Sequence, residues 1–167
     1  SRFLSSKKFL NAEFSKEVLM NRAYKNSILH FATHNAQVPN EIFGTLPALI
    51  MGNKNQLDFL DILSISNLDF ENSFIILAAC NTTELLKEDT DAFSGIVKSF
   101  KLAGAQEIFA TRWEIETKSS EKFVVSFLEK LAKGENPGTA LHQTKLEFIK
   151  SREFNHPIFW GAFTLVN

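Results

Sequence analysis

Two side chains of this 167-residue sequence are placed to do nucleophilic chemistry together, Cys80 and His34. Cys80 is the chain's one cysteine, and it directly follows the apolar run Phe74-Ile75-Ile76-Leu77-Ala78-Ala79. Asn81-Thr82-Thr83 come next, which is turn chemistry rather than core. His34 stands in the same relation to the short apolar run from Ser27 to Thr33. A free thiol has a pKa of about 8.5 and is only a few per cent thiolate at neutral pH, so it needs a base or a cation beside it. An imidazole meets that need and can afterwards protonate a leaving amine. The plainer alternatives are a small buried hydrophobe at Cys80 and an ordinary loop histidine at His34.

Other chemistries find less support. His30 and His34 are four apart, but the zinc-protease pattern needs a helix and a glutamate base. The residues between them are Phe31-Ala32-Thr33, with no acid. The seven glycines are scattered and form no phosphate-cradling loop. Phe93-Ser94-Gly95 opens a helix without the paired glycines of a serine nucleophile elbow. No cofactor is expected.

Positioning the pair requires two strands that end side by side. Ser27–Thr33 and Phe74–Ala79 read as buried strands, Glu107–Thr111 as a third, and Ile158–Val166 as a last one. Helices are expected over residues 8–23, Asp58–Ile65, Ala92–Ala103 (stopped by Gly104), Ser119–Ala132 and Thr139–Lys150, with Pro137 marking the start of the last. Residues 35–45, with Pro39 and Gly44, read as loop, and Leu46–Met51 as a small strand followed by a turn. Strands alternating with helices predict an α/β fold with a mostly parallel sheet covered on both faces. Ligands of such sheets bind beyond the carboxyl ends of the strands, and His34 and Cys80 both fall there. If their strands are neighbours, thiol and imidazole share one crevice.

Composition sets the surroundings. The 18 Lys+Arg nearly cancel the 19 Asp+Glu, so nucleic acid and anionic membrane are not expected partners. Aromatic residues are nearly all Phe (17, against 2 Trp and 1 Tyr), rings suited to cores rather than to stacking on bases. A single cysteine excludes an internal disulfide framework and a cysteine-rich zinc site. No apolar run reaches the ~18 residues of a membrane span, and Ser1-Arg2-Phe3-Leu4 does not open a signal peptide. A cytoplasmic location is the expectation.

The motifs resemble a family. His30-Phe31-Ala32-Thr33-His34 resembles the HFATHG signature of CHAT domains, caspase-like cysteine peptidase domains often found beside tetratricopeptide repeats. Leu77-Ala78-Ala79-Cys80-Asn81-Thr82 resembles its L-S-A-C-x-T nucleophile signature. Phe93 to Ala105, Ile108 to Ile115, Ala140-Leu141 and His156-Pro157 to Phe163 resemble later motifs of the same family, in the same order. The interval from His34 to Cys80, 80 − 34 = 46 residues, is near the caspase-like value of about 50.

The resemblance implies a caspase-like fold and a cysteine endopeptidase with His34 and Cys80 as its dyad, cleaving a protein or peptide through an acyl-enzyme. The alternative is a dormant caspase-like interaction module. The oxyanion would be held by the backbone N–H groups of Cys80 and of Asn35, which stands where the family has glycine. Glycine serves where φ is positive, and Asn is the substitute best tolerated there. Among the acids near the mouth (Glu88, Asp89, Asp91, Glu114 and Glu116), Asp89, Asp91 or Glu114 could pair with a basic P1 side chain, as in relatives that cut after Arg or Lys. A solvated loop charge is the more common fate of such residues. Arg112 either favours an acidic P1 or caps a strand, and Trp113 either walls the pocket or joins the core. The chain is expected to be one CHAT domain over residues 1–167, belonging to a larger protein with a regulatory or recognition partner such as tetratricopeptide repeats. Residues 1–23 form a tail and helix where a caspase-like sheet would have its first strand, which the chain is expected to lack.

Overall fold

A computed structural model describes residues 7–10, 13–20, 24–52, 57–77 and 90–167. Among them, four strands form one sheet in the order β1-β5-β6-β7: β1 (Ile28–Phe31), β5 (Phe74–Leu77), β6 (Glu107–Thr111) and β7 (Phe163–Val166). The first three are parallel and β7 returns antiparallel along β6. The fold is therefore the expected α/β type, caspase-like, with a mostly parallel sheet and helices on both faces.

Strand periodicity divides the core in two. Ile75, Leu77, Ile108 and Ala110 face one way, and with Phe31 they meet α2 (Ile62–Ser66) through Ile65 and α3 (Thr90–Leu102) through Ile96, Val97 and Phe100. Ile76 and Phe109 face the other way, onto α4 (Thr117–Ala132) and α5 (Pro137–Lys150). Phenylalanine fills this second layer as the composition suggested. Phe109 stacks on Phe127 at 4.3 Å between ring centroids, and Phe123 stacks on Phe163 at 3.9 Å. Each fully buried ring contributes roughly 1.5–3 kcal/mol of apolar burial.

Helix starts follow local chemistry. Asn136 caps α5 by accepting from Thr139 N, with Pro137 at the first helical position. Gly104 ends the α3 segment at φ +93°, and a Cβ there would lie 3.1 Å from Glu71 Cα, so both conformation and space call for glycine.

Five expectations need correction. Residues 35–45 are not loop: β2 (Asn35–Asn40) and β3 (Gly44–Met51) form a hairpin, and β4 (Asp58–Asp61) adds to β3 in a separate antiparallel sheet. Asp58–Ile65 is therefore not one helix, because its first half is β4 and only Ile62 onward is helical. The amino-terminal helix is short, α1 spanning Lys16–Met20, while Phe14 before it packs on Phe31 at 6.0 Å. The last strand begins at Phe163 rather than Ile158, since Pro157–Phe159 forms a 3-10 turn. The strand that carries His34 at its end is also less buried than expected, with Phe31 buried but Ile28 42% exposed at the sheet edge.

Candidate active site

The site is built on one register. β1 and β5 are parallel neighbours, and their last residues, Phe31 and Leu77, are paired. His34 lies three residues past Phe31 and Cys80 three residues past Leu77. Adjacent strands run about 4.8 Å apart, so β1 and β5 end side by side at the carboxyl end of the sheet. Cys80 itself lies outside the described residues.

His34 sits at a junction. Phe31 anchors β1 in the core, Ala32 and Thr33 link it to the second sheet, and β2 starts at Asn35. Two bonds to Ile50 of β3 fix this link. The Thr33 hydroxyl donates to Ile50 O, and Ile50 N donates to His34 O at 2.8 Å. The imidazole of His34 is exposed beyond this tie. Its neighbour in the motif, His30, lies on β1 beside Ile76 of β5, and desolvation holds its pKa below the ordinary imidazole value.

Asn35 departs from expectation. Its φ is not positive: among the described residues the non-glycine positions with positive φ are Asn26 and Asn72. Asn35 is an ordinary strand residue opposite Leu49. Because Ile50 N bonds His34 O, the 35–49 pair is a non-hydrogen-bonded pair of the ladder, which directs the Asn35 N–H away from β3. The replacement of glycine by asparagine thus carries no left-handed strain.

Across the mouth, Trp113 follows β6 by two residues. Its Nε1–H donates to Ile158 O at 3.3 Å, its ring lies against Gly161, and the side chain stays 40% exposed. Trp113 is thus neither core nor loose, but laid on the turn that precedes β7.

These motifs and this geometry agree with the comparisons. The sequence profile of the CHAT domain matches residues 1–167. The chain belongs to the CHAT domain family. It is similar to tetratricopeptide repeat protein 28 of Mus musculus, 24% identical over 200 aligned residues that include 99% of this chain and 8% of that protein. Its similarity to tetratricopeptide repeat protein 28 of Homo sapiens is 28% over 80 residues, 48% of this chain and 3% of that protein. The chain spans less than a tenth of the length of these relatives.

Within this CHAT domain the acids of the mouth separate. Glu116 accepts from Ser119 N at 3.1 Å as the cap of α4, so its carboxylate has a structural task. Glu114 is exposed in the loop after β6, and Asp91 falls in the first turn of α3. Glu88 and Asp89 lie outside the described residues. Arg112 binds the chain ahead of β7 through its backbone, N donating to Ala162 O at 3.0 Å. The sequence reading missed Ile50, whose two backbone groups hold the link at His34; no side-chain motif marks it. Among the described residues no helix is long and apolar enough to cross a membrane.

Proposed function

We propose that this CHAT domain is a cysteine endopeptidase acting on a protein partner, with Cys80 as nucleophile and His34 as general base and acid. The observation that carries the reading is the register of β1 on β5, which gives both residues the same offset from one strand pair, Phe31 and Leu77. Thiol and imidazole then leave neighbouring strand ends at the edge where parallel sheets bind ligands. His34 takes the Cys80 proton, and the thiolate sulfur attacks the scissile carbonyl carbon. The backbone N–H groups of Asn35 and Cys80 are suited to hold the oxyanion, and the outward direction of the Asn35 N–H supports the first of them. Collapse of the tetrahedral intermediate breaks the C–N bond, and His34 gives its proton to the leaving amine. Water, deprotonated by His34, hydrolyses the thioester and returns the free enzyme.

Trp113, fixed beside the mouth, walls the substrate cleft in this reading, and Asp89, Asp91 and Glu114 are the candidates for meeting a basic P1 side chain. The relatives named as tetratricopeptide repeat proteins suggest that this domain works inside a larger protein whose repeats select the substrate or hold the peptidase in check. The test is alkylation of Cys80 by iodoacetamide across pH, in the wild type and in His34→Ala. Rapid labelling well below pH 8 that the substitution abolishes is the expected result. Slow labelling indifferent to His34 would leave a non-catalytic interaction module.

A further inference from the structure

Resting on that reading for its bearing on cleavage, we infer that His156 is a positioning residue for the mouth: its neutral imidazole holds the turn that seats Trp113, and protonation of the ring releases the indole. His156 Nδ1 accepts from Ile158 N at 3.2 Å and so caps the 3-10 turn Pro157–Phe159. The carbonyl of the same Ile158 accepts from Trp113 Nε1–H at 3.3 Å. One residue therefore carries both bonds, the first fixing its N–H and the second holding the indole. The Trp113 ring also rests on Gly161 just past the turn, where a Cβ would lie 3.2 Å from Cζ2.

The cap requires one tautomer. A neutral imidazole that accepts at Nδ1 carries its proton on Nε2. A second proton turns Nδ1 from acceptor into donor, and it then meets the Ile158 N–H donor to donor. Caps are ordinarily Ser, Thr, Asp or Asn, and the other side-chain caps among the described residues are Asp61, Glu116 and Asn136. Such residues would serve a purely structural cap at neutral pH, whereas histidine changes charge between about pH 5 and 8. The imidazole is exposed, so protons reach it. Around it stand Arg152 and Glu153 on its own segment, Lys118 and Lys122 of α4, which pair with Glu153, and Arg112 and Glu114, which flank Trp113. Among the described residues none of these bonds the His156 ring, whose one hydrogen bond is the cap. Phe159 N on His156 O (3.1 Å) and Trp160 N on Pro157 O (3.2 Å) do not involve the ring. Protonation therefore loosens Ile158 while the chain keeps its course, and acid frees the Trp113 side of the cleft without unfolding the domain.

The test follows the two indole N–H signals in proton–nitrogen correlation spectra of the whole chain, with Trp113 assigned by Trp113→Phe. Between about pH 8 and pH 5 the Trp113 signal should move along a one-proton curve. At about pH 5 its N–H should exchange with solvent about fivefold faster than in His156→Asn, the effect of losing a typical cap. His156→Asn caps without titrating and should keep the neutral-form signal throughout, while His156→Ala should show the released signal even at about pH 8. His34→Ala should leave the curve in place. A Trp113 signal that does not move in the wild type overturns the inference, and so does a curve that survives in folded His156→Asn. If the variants do not fold, the wild type still decides, because His156 in the Nδ1–H tautomer at about pH 8 also overturns it. Iodoacetamide labelling of Cys80 separates this inference from the reading beneath it. Rapid, His34-dependent labelling with a fixed Trp113 signal overturns the positioning role alone, whereas slow labelling indifferent to His34 removes the peptidase reading and the role in cleavage together.

Discussion

The Thr33 hydroxyl donates to the carbonyl of Ile50, seventeen residues along the chain and on another strand. With Ile50 N bonded to His34 O at 2.8 Å, the two bonds clamp the backbone on either side of the histidine's Cα. The two bonds fix the backbone from which the exposed imidazole projects.

Thr33→Val keeps the shape and removes one of the two bonds. Losing a part-buried hydrogen bond costs about 0.5–1.5 kcal/mol, which as misplacement of the base is roughly a 2–12-fold loss in His34-dependent labelling of Cys80. Thr33→Ser should retain most of the rate. The measurement is the pH profile of iodoacetamide labelling beside a thermal melt. If the melting temperature falls while the His34-dependent rate holds, the Thr33 bond supports the sheet and not the base.

A second prediction concerns acid. Asp61 ends β4 and caps α2, accepting from Ser64 N and from Ser64 Oγ at 2.8 Å each, with Lys16 Nζ 3.6 Å away. Burial alone would raise its pKa, but the Ser64 bonds and the Lys16 charge outweigh it and hold the carboxyl below its ordinary value. A depressed folded pKa means that the stabilisation is fully present above the unfolded value of about 3.9 and is lost as pH falls through the folded value. Asp61→Ala should therefore cost about 1 kcal/mol at neutral pH. The gap to the wild type should narrow in urea titrations carried to about pH 2.5. A gap that stays constant with pH would show that the ionised carboxylate is not what caps α2.

Local signals made part of this fold legible. Glu107–Thr111 is a strand because an apolar run is bounded by turn residues, and α5 announces itself through Asn136-Pro137. β2 was hidden because Pro39 and Gly44 look like loop punctuation, whereas one marks an edge strand and the other closes a hairpin at φ +78°. β4 was hidden because four residues, Asp58–Asp61, precede a helix without a break and blend into its pattern. At the site, the apolar run led the sequence reading to end the first strand at Thr33, directly before His34, whereas β1 ends at Phe31, and Cys80 lies outside the described residues. The Ile50 clamp and the conformation of Asn35 were not legible, because both depend on how β2 registers against β3, a long-range pairing that no single segment encodes.

The last prediction addresses the Trp113 wall. Gly161 N donates to Pro157 O at 2.7 Å, and a Cβ at Gly161 would lie 2.8 Å from that oxygen and 3.2 Å from Trp113 Cζ2. The indole therefore rests against this glycine, with its Nε1–H on Ile158 O. In Gly161→Ala the turn must open, because the tightest contact is with a backbone oxygen, and overpacking of this kind costs about 1–3 kcal/mol. The half-exposed ring meets the same methyl and is tied to this turn through Ile158 O, so Trp113 should swing toward water with it. With Trp160→Phe as background, leaving Trp113 as the sole tryptophan, its emission should shift to the red in Gly161→Ala. Peptide cleavage should fall together with that shift if Trp113 walls the cleft. A red shift with unchanged cleavage would place the indole outside the substrate's path and leave it the task of pinning the turn before β7.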